Sequence, residues 1–227
     1  GLPMHANLDY ERINFVGLLQ ETLAKRDGRP GYLGVHQRLD LGTSGLVIFT
    51  RCQEANASLA KQFSEHSLSK VYLAIVAAHG HLASKEWDCR YALGEPDKRG
   101  GAVRWRHNPK TSDFGFKEAW THFTIKKRKH GLLLLQAELK SGRKHQIRAH
   151  LAAQKMPILG DTLYGGADRV EIEGTTFTLE RPMLHAYSLK LLHPLSGEPL
   201  QVVAPLPIDF ANIMAIANLG EIEQYET

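Results

Sequence analysis

Apolar and polar positions along the chain alternate between two periods. Helical spacing, with apolar residues three to four apart, occurs at four places. Tyr10–Lys25 carries Ile13, Val16, Leu19 and Leu23 on one face, and Gln53–His66 carries Ala57, Ala60 and Phe63. His145–Gln154 carries Ile147, Ala149 and Leu151, and Ile208–Leu219 is the last. β-Branched and apolar runs between turn signals predict strands at Leu46–Arg51, Val71–Ala77, Trp120–Lys127, Leu132–Leu139, Thr175–Leu179, Leu184–Leu192 and Gln201–Val203. The run Leu132–Leu135 has no polar alternation, which predicts a strand covered on both faces. Trp120–Lys127 and Leu132–Leu139, joined by Lys-rich residues, read as an antiparallel hairpin. Short connections of this kind favour an α+β fold: a mixed, mostly antiparallel sheet with helices packed against it.

Gly/Pro/Asp-rich punctuation falls at Arg26–Gly31, Gly94–Gly101, Asn108–Gly115 and Gly160–Asp168. None of it resembles a long linker, and no repeat interrupts the pattern. The expectation is one continuous domain over residues 1–227. The longest unbroken apolar run, Val71–Ala78, is far short of the ~20 residues a membrane-crossing helix needs. The chain opens Gly1-Leu2-Pro3 with no charged-then-apolar leader, which reads as a trimmed start without a secretory signal. Two cysteines, Cys52 and Cys89, with no CxxC, read as reduced thiols of a cytoplasmic protein.

Charge changes the picture through its distribution. Between Asp97 and Arg148 there are 14 Lys/Arg against four acids (Asp97, Asp113, Glu118 and Glu138), a net +10, whereas Pro205–Thr227 is −4 with no Lys or Arg. A stretch so basic suits a polyanionic partner. Lys126–Lys129 alone reads equally as a solvated hairpin tip.

Two segments could carry chemistry. In His36-Gln37-Arg38-Leu39-Asp40-Leu41-Gly42-Thr43-Ser44-Gly45, a carboxylate sits between leucines before a tight turn. A charged Asp there needs a cation or several donors. Spacing alone favours an Asx-type turn. In Ser141-Gly142-Arg143-Lys144-His145-Gln146-Ile147-Arg148, a cationic turn opens a helix. Arg148, beside Ile147 and three residues before Leu151, points partly inward and suits a carboxylate partner. The alternative is a helix start that faces water or holds phosphate non-specifically. The close histidine pairs, His79/His81 and His145/His150, lack the HExxH spacing and an acidic cluster. No phosphate-binding glycine motif is present, so neither metal nor nucleotide cofactor is expected.

Taken in order along the chain, these segments closely resemble the RluA/RluD-type pseudouridine synthases. Arg38-Leu39-Asp40 with Thr43-Ser44-Gly45-Leu46 is similar to the family's catalytic signature, and Lys70-Val71-Tyr72-Leu73-Ala74 to its Lys-x-Tyr-x-Ala strand. Lys117-Glu118-Ala119-Trp120-Thr121 resembles Lys-x-Ala-x-Thr, and Gly142–His150 resembles Gly-Arg-x-His-Gln-Ile-Arg-x-His. Pro157–Asp161, Tyr164-Gly165, Leu184-His185-Ala186 and His193-Pro194 continue the likeness. Residues 1–5 resemble the family's opening loop, without the strand that usually precedes it and without an S4-like domain. Gln37 stands where the family usually has His, and His36 lies one residue earlier.

The resemblance implies isomerisation of uridine to pseudouridine in ribosomal or transfer RNA, without cofactor, by a monomer. It implies Asp40 as nucleophile in a desolvated cavity, Arg148 as its ion-pair partner, and Tyr72 as the residue that stacks on uracil and helps remove the C5 proton. Leu184 would wall the base and Arg38 would fill the space left by the flipped nucleotide, with Thr43, Arg143 and His145 as further substrate contacts. A two-carboxylate hydrolase fits less well. Asp161 is the only second acid near a motif, and it is expected to cap the loop before Tyr164.

Overall fold

The computed structural model describes residues 3, 13–77, 84–98, 100–107 and 115–220. Most of the opening loop, the first residues of the expected first helix, the His79/His81 pair and the acidic tail after residue 220 lie outside them.

In chain order, helix α1 (Phe15–Asp27) is followed by three two-residue strands, β1 (Gly34–Val35), β2 (Ser44–Gly45) and β3 (Phe49–Thr50). Helix α2 (Glu54–Ser64) leads to β4 (Ser69–Ala77), β5 (Glu86–Cys89), β6 (Ala92–Gly94), β7 (Arg104–Arg106) and β8 (Phe116–Lys117). The hairpin β9 (Thr121–Lys129) and β10 (Leu132–Leu139) precedes α3 (Gln146–Ala153). A short 3₁₀ turn (Thr162–Tyr164), β11 (Arg169–Ile172), β12 (Thr175–Thr178), β13 (Leu184–Leu192), β14 (Pro199–Val203) and α4 (Ile208–Ile216) complete the order. The expected α+β fold is present. The main sheet runs β14-β13-β4-β10-β9-β5 with antiparallel pairing throughout, and β2 adds to β13 in parallel.

Hydrophobicity sets the sheet order. Leu73–Val76 of β4 and Leu132–Leu135 of β10 are fully or almost fully buried on both faces, so these strands take the centre, as the unalternating leucines predicted. Each such side chain taken wholly out of water contributes roughly 1.5–3 kcal/mol. α4 supplies Phe210, Ile213 and Met214 to this core, and α3 supplies Ile147 and Leu151. The opposite side of α3, at Ala149, packs on a second cluster with Leu93, Val103 and Ala119, beside the three-stranded sheet β7-β6-β8. Thus α3 is buried around most of its circumference, polar residues included.

Several elements differ from the sequence reading. The inward face of α2 is Ala55, Leu59 and Gln62; Ala57 and Ala60 are exposed and Phe63 is half-buried. The difference is a rotation of the helix. Leu59 reaches Leu68, Leu189 and Leu191, while the Gln62 amide is satisfied by the Leu192 backbone. α1 is capped at its start by Asn14, whose Oδ1 accepts from the Gly17 N–H at 3.0 Å, and at its end by left-handed Gly28. No residue of α1 is fully buried. Of the expected strand Leu46–Arg51 only Phe49–Thr50 forms a strand; the Leu46 N–H donates to the Ala186 carbonyl of β13, and Leu46 and Ile48 pack on the Leu59 cluster. The hairpin tip is His130-Gly131, both at positive φ, as primed turns require. Lys126–Lys129 are therefore the exposed end of β9 and not the turn.

Both cysteines are free, and among the described residues no helix is long and apolar enough to cross a membrane.

Candidate active site

Asp40 lies in the loop between β1 and β2. The loop closes as a turn: the Thr43 N–H donates to the Asp40 carbonyl at 3.0 Å, with Gly42 at φ +84°. Positive φ at that place needs glycine. Three residues on, Gly45 (φ +111°) lies so close to β13 that a Cβ would overlap the Ala186 carbonyl. Arg181 fastens the loop from outside. Its Nη1 donates to the carbonyls of Gly42, Pro182 and Leu184 at 3.1–3.3 Å, and its other nitrogens hold Asp209 of α4 at 2.6 and 2.7 Å.

β4 supplies the next group. Lys70 and Tyr72 are two residues apart on a strand, so they share a face. Across from Tyr72 stand Ala137 on β10 and Ala186 on β13, small neighbours that leave the phenol ring room. Burial, and secondarily the Asp40 charge, push the Tyr72 hydroxyl well above its ordinary pKa, so it stays protonated. Burial lowers the pKa of Lys70, whose Nζ lies 5.4 Å from the Phe63 ring centroid.

The turn before α3 is held by a single buried amide. Gln146 Oε1 accepts from Ser141 Oγ and the Arg143 N–H, while its Nε2 donates to the Trp120 carbonyl and Thr121 Oγ1, all at 2.8–3.0 Å. This locks the left-handed His145 and starts the helix that carries Arg148.

These elements meet around a cavity of about 880 Å³, lined by Arg38, Asp40, Thr43, Lys70, Tyr72, Arg143, Lys144, His145, Arg148 and Leu184 among others. All eight residues singled out in the sequence reach it: Asp40, Tyr72, Arg148, Arg38, Leu184, Thr43, Arg143 and His145. Among the described residues its lining has five Lys/Arg and one carboxylate, that of Asp40. Asp40, Thr43 and Arg148 also border a second hollow of about 690 Å³, whose other charged residues are Asp161, Glu180, Arg181 and Asp209. The acid thus stands on a partition between a basic chamber and a more acidic one.

The ion pairs differ from the expectation. Arg148 does face Asp40, Nη1 to Oδ2 at 3.7 Å, but its tight partner is Asp161. Nε and Nη2 each meet an Asp161 oxygen at 2.7 Å in a bidentate pair, with both side chains buried. The Asp161 carboxylate therefore does not cap the loop. Its backbone carbonyl does that, accepting from Tyr164 and Gly166. Burial opposes the Arg148 charge, yet Asp161, with help from Asp40, raises its pKa above the ordinary value. With both oxygens committed to Arg148, Asp161 is not a second free carboxylate for a hydrolase. Nor is Asp40 desolvated: its side chain is 25% exposed in the open cavity.

His145 approaches Asp40 from the other side, Nε2 to Oδ1 at 3.8 Å. Its Nδ1 lies 2.9 Å from the Tyr164 hydroxyl, and the Arg148 guanidinium lies 5.0 Å from the Tyr164 ring centroid. His36 lines the cavity and bonds Thr50 and Asn56, while the amide of Gln37 donates to the Leu46 carbonyl. His150 serves structure only: its ring bonds Thr121 and the Tyr91 carbonyl, and burial depresses its pKa to about 4. Among the described residues no cluster of three or more His, Cys, Asp or Glu could hold a metal ion.

The sequence reading missed Lys70, Gln146, Asp161 and Tyr164 as members of the site. Lys70 was visible through the Lys-x-Tyr alternation. Asp161 and Tyr164 come from a later loop, with no spacing signal to join them to Arg148.

Comparison with known proteins agrees with this geometry. Residues 15–153 match the family described as RNA pseudouridylate synthase. Ribosomal large subunit pseudouridine synthase D of Xanthomonas campestris is 38% identical over 190 residues, covering 80% of this chain and 54% of that protein. The protein of the same name from Zymomonas mobilis is 31% identical over 212 residues, covering 91% of this chain and 63% of that one. The chain spans about half the length of the first curated relatives it matches. Human RNA pseudouridylate synthase domain containing 1 superposes with a TM-score of 0.65 at 25% identity, over 85% of this chain and 76% of that one. Human RNA pseudouridylate synthase domain containing 4 shares the fold, with a TM-score of 0.72 at 20% identity over 98% of this chain and 88% of that one. With the family match covering well over half of its length, this chain belongs to the RNA pseudouridylate synthases.

Proposed function

We propose that the chain is the catalytic unit of an RNA pseudouridine synthase, with Asp40 as its nucleophile. The observation that carries this reading is a carboxylate that, among the described residues, stands alone in a chamber lined by five Lys and Arg, beside a half-buried tyrosine and an apolar wall. A phosphodiester strand is drawn to such a chamber, and phosphate contacts give affinity without sequence information. The target nucleotide leaves its stack at a cost of a few kcal/mol. Arg38 then fills the vacated place, and Leu184 walls the base, with Thr43, Arg143 and His145 as further contacts.

The reaction breaks the C1′–N1 bond and makes C1′–C5. The proton that leaves C5 is balanced by one gained at N1, with no redox change. Asp40 opens the cycle as an anionic nucleophile. Arg148, held in place by Asp161, faces the same carboxylate. Tyr72 stays protonated beside charged Asp40. Because burial keeps the phenol neutral, its oxygen takes the C5 proton only as it passes its own proton on towards N1, a relay that leaves Tyr72 protonated before and after. The names of the bacterial relatives favour large-subunit ribosomal RNA as substrate.

The test is pseudouridine mapping by primer extension after carbodiimide treatment, on ribosomal RNA incubated with the wild-type protein or with Asp40→Asn. The variant should bind RNA and make no pseudouridine. Product at the wild-type rate would remove Asp40 from the chemistry.

A further inference from the structure

The Tyr164 hydroxyl sits between two fixed groups. The Val103 backbone N–H donates to its oxygen at 2.8 Å, and the same oxygen lies 2.9 Å from His145 Nδ1. The far nitrogen of that ring, Nε2, lies 3.8 Å from Asp40 Oδ1. Burial pushes the Tyr164 pKa up to about 12, so the phenol keeps its proton near neutrality. The pKa of His145 is lowered first by burial and then by the nearby positive charges of Arg148 and Lys144, against the opposing pull of Asp40 and Asp161. The ring is therefore neutral and carries one N–H, on either Nδ1 or Nε2.

The two tautomers are not equivalent here. With the proton on Nδ1, the ring donates to Tyr164, the phenolic proton loses its acceptor, and a bare Nε2 lone pair points at the Asp40 carboxylate. With the proton on Nε2, Tyr164 accepts from Val103 and donates to Nδ1, and an N–H points at the carboxylate. Only the second arrangement satisfies every group.

We propose that Tyr164 is a positioning residue. It locks His145 in the Nε2–H form, and that N–H orients the Asp40 carboxylate for attack, closing to hydrogen-bond length when the nucleotide displaces water from the cavity. The catalytic part of this inference rests on the reaction assigned above. The chain of contacts begins at Val103, beside β7, so the small sheet is tied through two side chains to the reacting acid.

Tyr164→Phe removes the hydroxyl alone and keeps the ring under Arg148. Its kcat on ribosomal RNA should fall by ~10–100-fold, within the up to ~100-fold that an ångström-scale misplacement of a reacting group costs, with KM within about twofold. Ring-nitrogen NMR of histidine-labelled protein without RNA supplies an independent readout. His145, assigned by its loss in His145→Gln, should show the Nε2–H pattern in the wild type and a mixed pattern in Tyr164→Phe. His145→Gln, whose amide can offer an N–H to Asp40, should retain more turnover than His145→Leu at similar melting temperature. An Nδ1–H ring in active wild-type protein overturns the proposal, as does a Tyr164→Phe variant with unchanged tautomer and kcat. Wild-type protein that shows the Nε2–H ring but modifies no RNA would instead defeat the reaction assigned to Asp40, and with it the catalytic half of this inference.

Discussion

Two carboxylates face Arg148, and the structure says which one the fold depends on. Asp161 binds the guanidinium through two 2.7 Å contacts, with its own side chain 1% exposed, whereas Asp40 stands off at 3.7 Å and is 25% exposed. Asp161→Ala would leave a buried guanidinium without its bidentate partner. Losing one member of a buried pair costs about 3–5 kcal/mol. For a chain of this size each kcal/mol lowers Tm by ~2–4 °C, so the loss should be on the order of 10 °C. Asp40→Asn keeps the shape of the side chain and removes a charge already partly in water. It should change stability by less than ~1 kcal/mol, the range of exposed pairs. Urea unfolding of the wild type and both variants, followed by tryptophan fluorescence and by circular dichroism to check that the transitions coincide, measures the difference. Equal losses in the two variants, or a loss below ~1 kcal/mol for Asp161→Ala, would refute the claim that Asp161 rather than Asp40 is the structural partner of Arg148.

The remaining predictions concern acid and salt. His150 has a folded pKa of about 4 against an unfolded value near 6.5, so the unfolded chain binds its proton first as pH falls. Its contribution is intact above pH ~6.5 and is lost progressively towards pH 4, a loss on the order of 2–3 kcal/mol by pH ~4.5. Urea unfolding at pH 7 and 4.5 should show that loss in the wild type and a smaller one in His150→Gln; equal acid losses would contradict it. Neutralising Lys126, Lys127, Arg128 and Lys129, the exposed end of β9, should flatten the salt dependence of RNA binding by up to ~0.7 log units per lost contact. An unchanged slope in filter-binding titrations would put that strand end away from the RNA.

Much of the architecture was legible because it depends on local pattern. Leu132–Leu135 has no polar alternation, so it had to be covered on both faces. Two apolar runs separated by a few turn residues had to pair. The boundaries and phases that failed depend on neighbours. A stripe of Ala57, Ala60 and Phe63 is as good a local pattern for α2 as Ala55, Leu59 and Gln62. Leu189 and Leu191, some 130 residues away, make the difference. Lys126–Lys129 looked like a turn because charge predicts exposure, and an edge-facing strand end is exposed as well.

The cavity residues divide in the same way. Asp40, Tyr72, Arg148 and Leu184 each stood in a recognisable local motif, and the sequence by itself was enough to single them out as a set that the fold brings to one cavity. It also determined that Lys70 and Tyr72 share a face, since the strand period is two. The tertiary structure decided the pairing. Arg148 prefers Asp161 to Asp40, and Tyr164 reaches His145, because ion pairs and hydrogen bonds are decided by differences of about one ångström between groups far apart in the chain. Such differences come from packing α3 between the main sheet and the small one, and no spacing along the sequence encodes them.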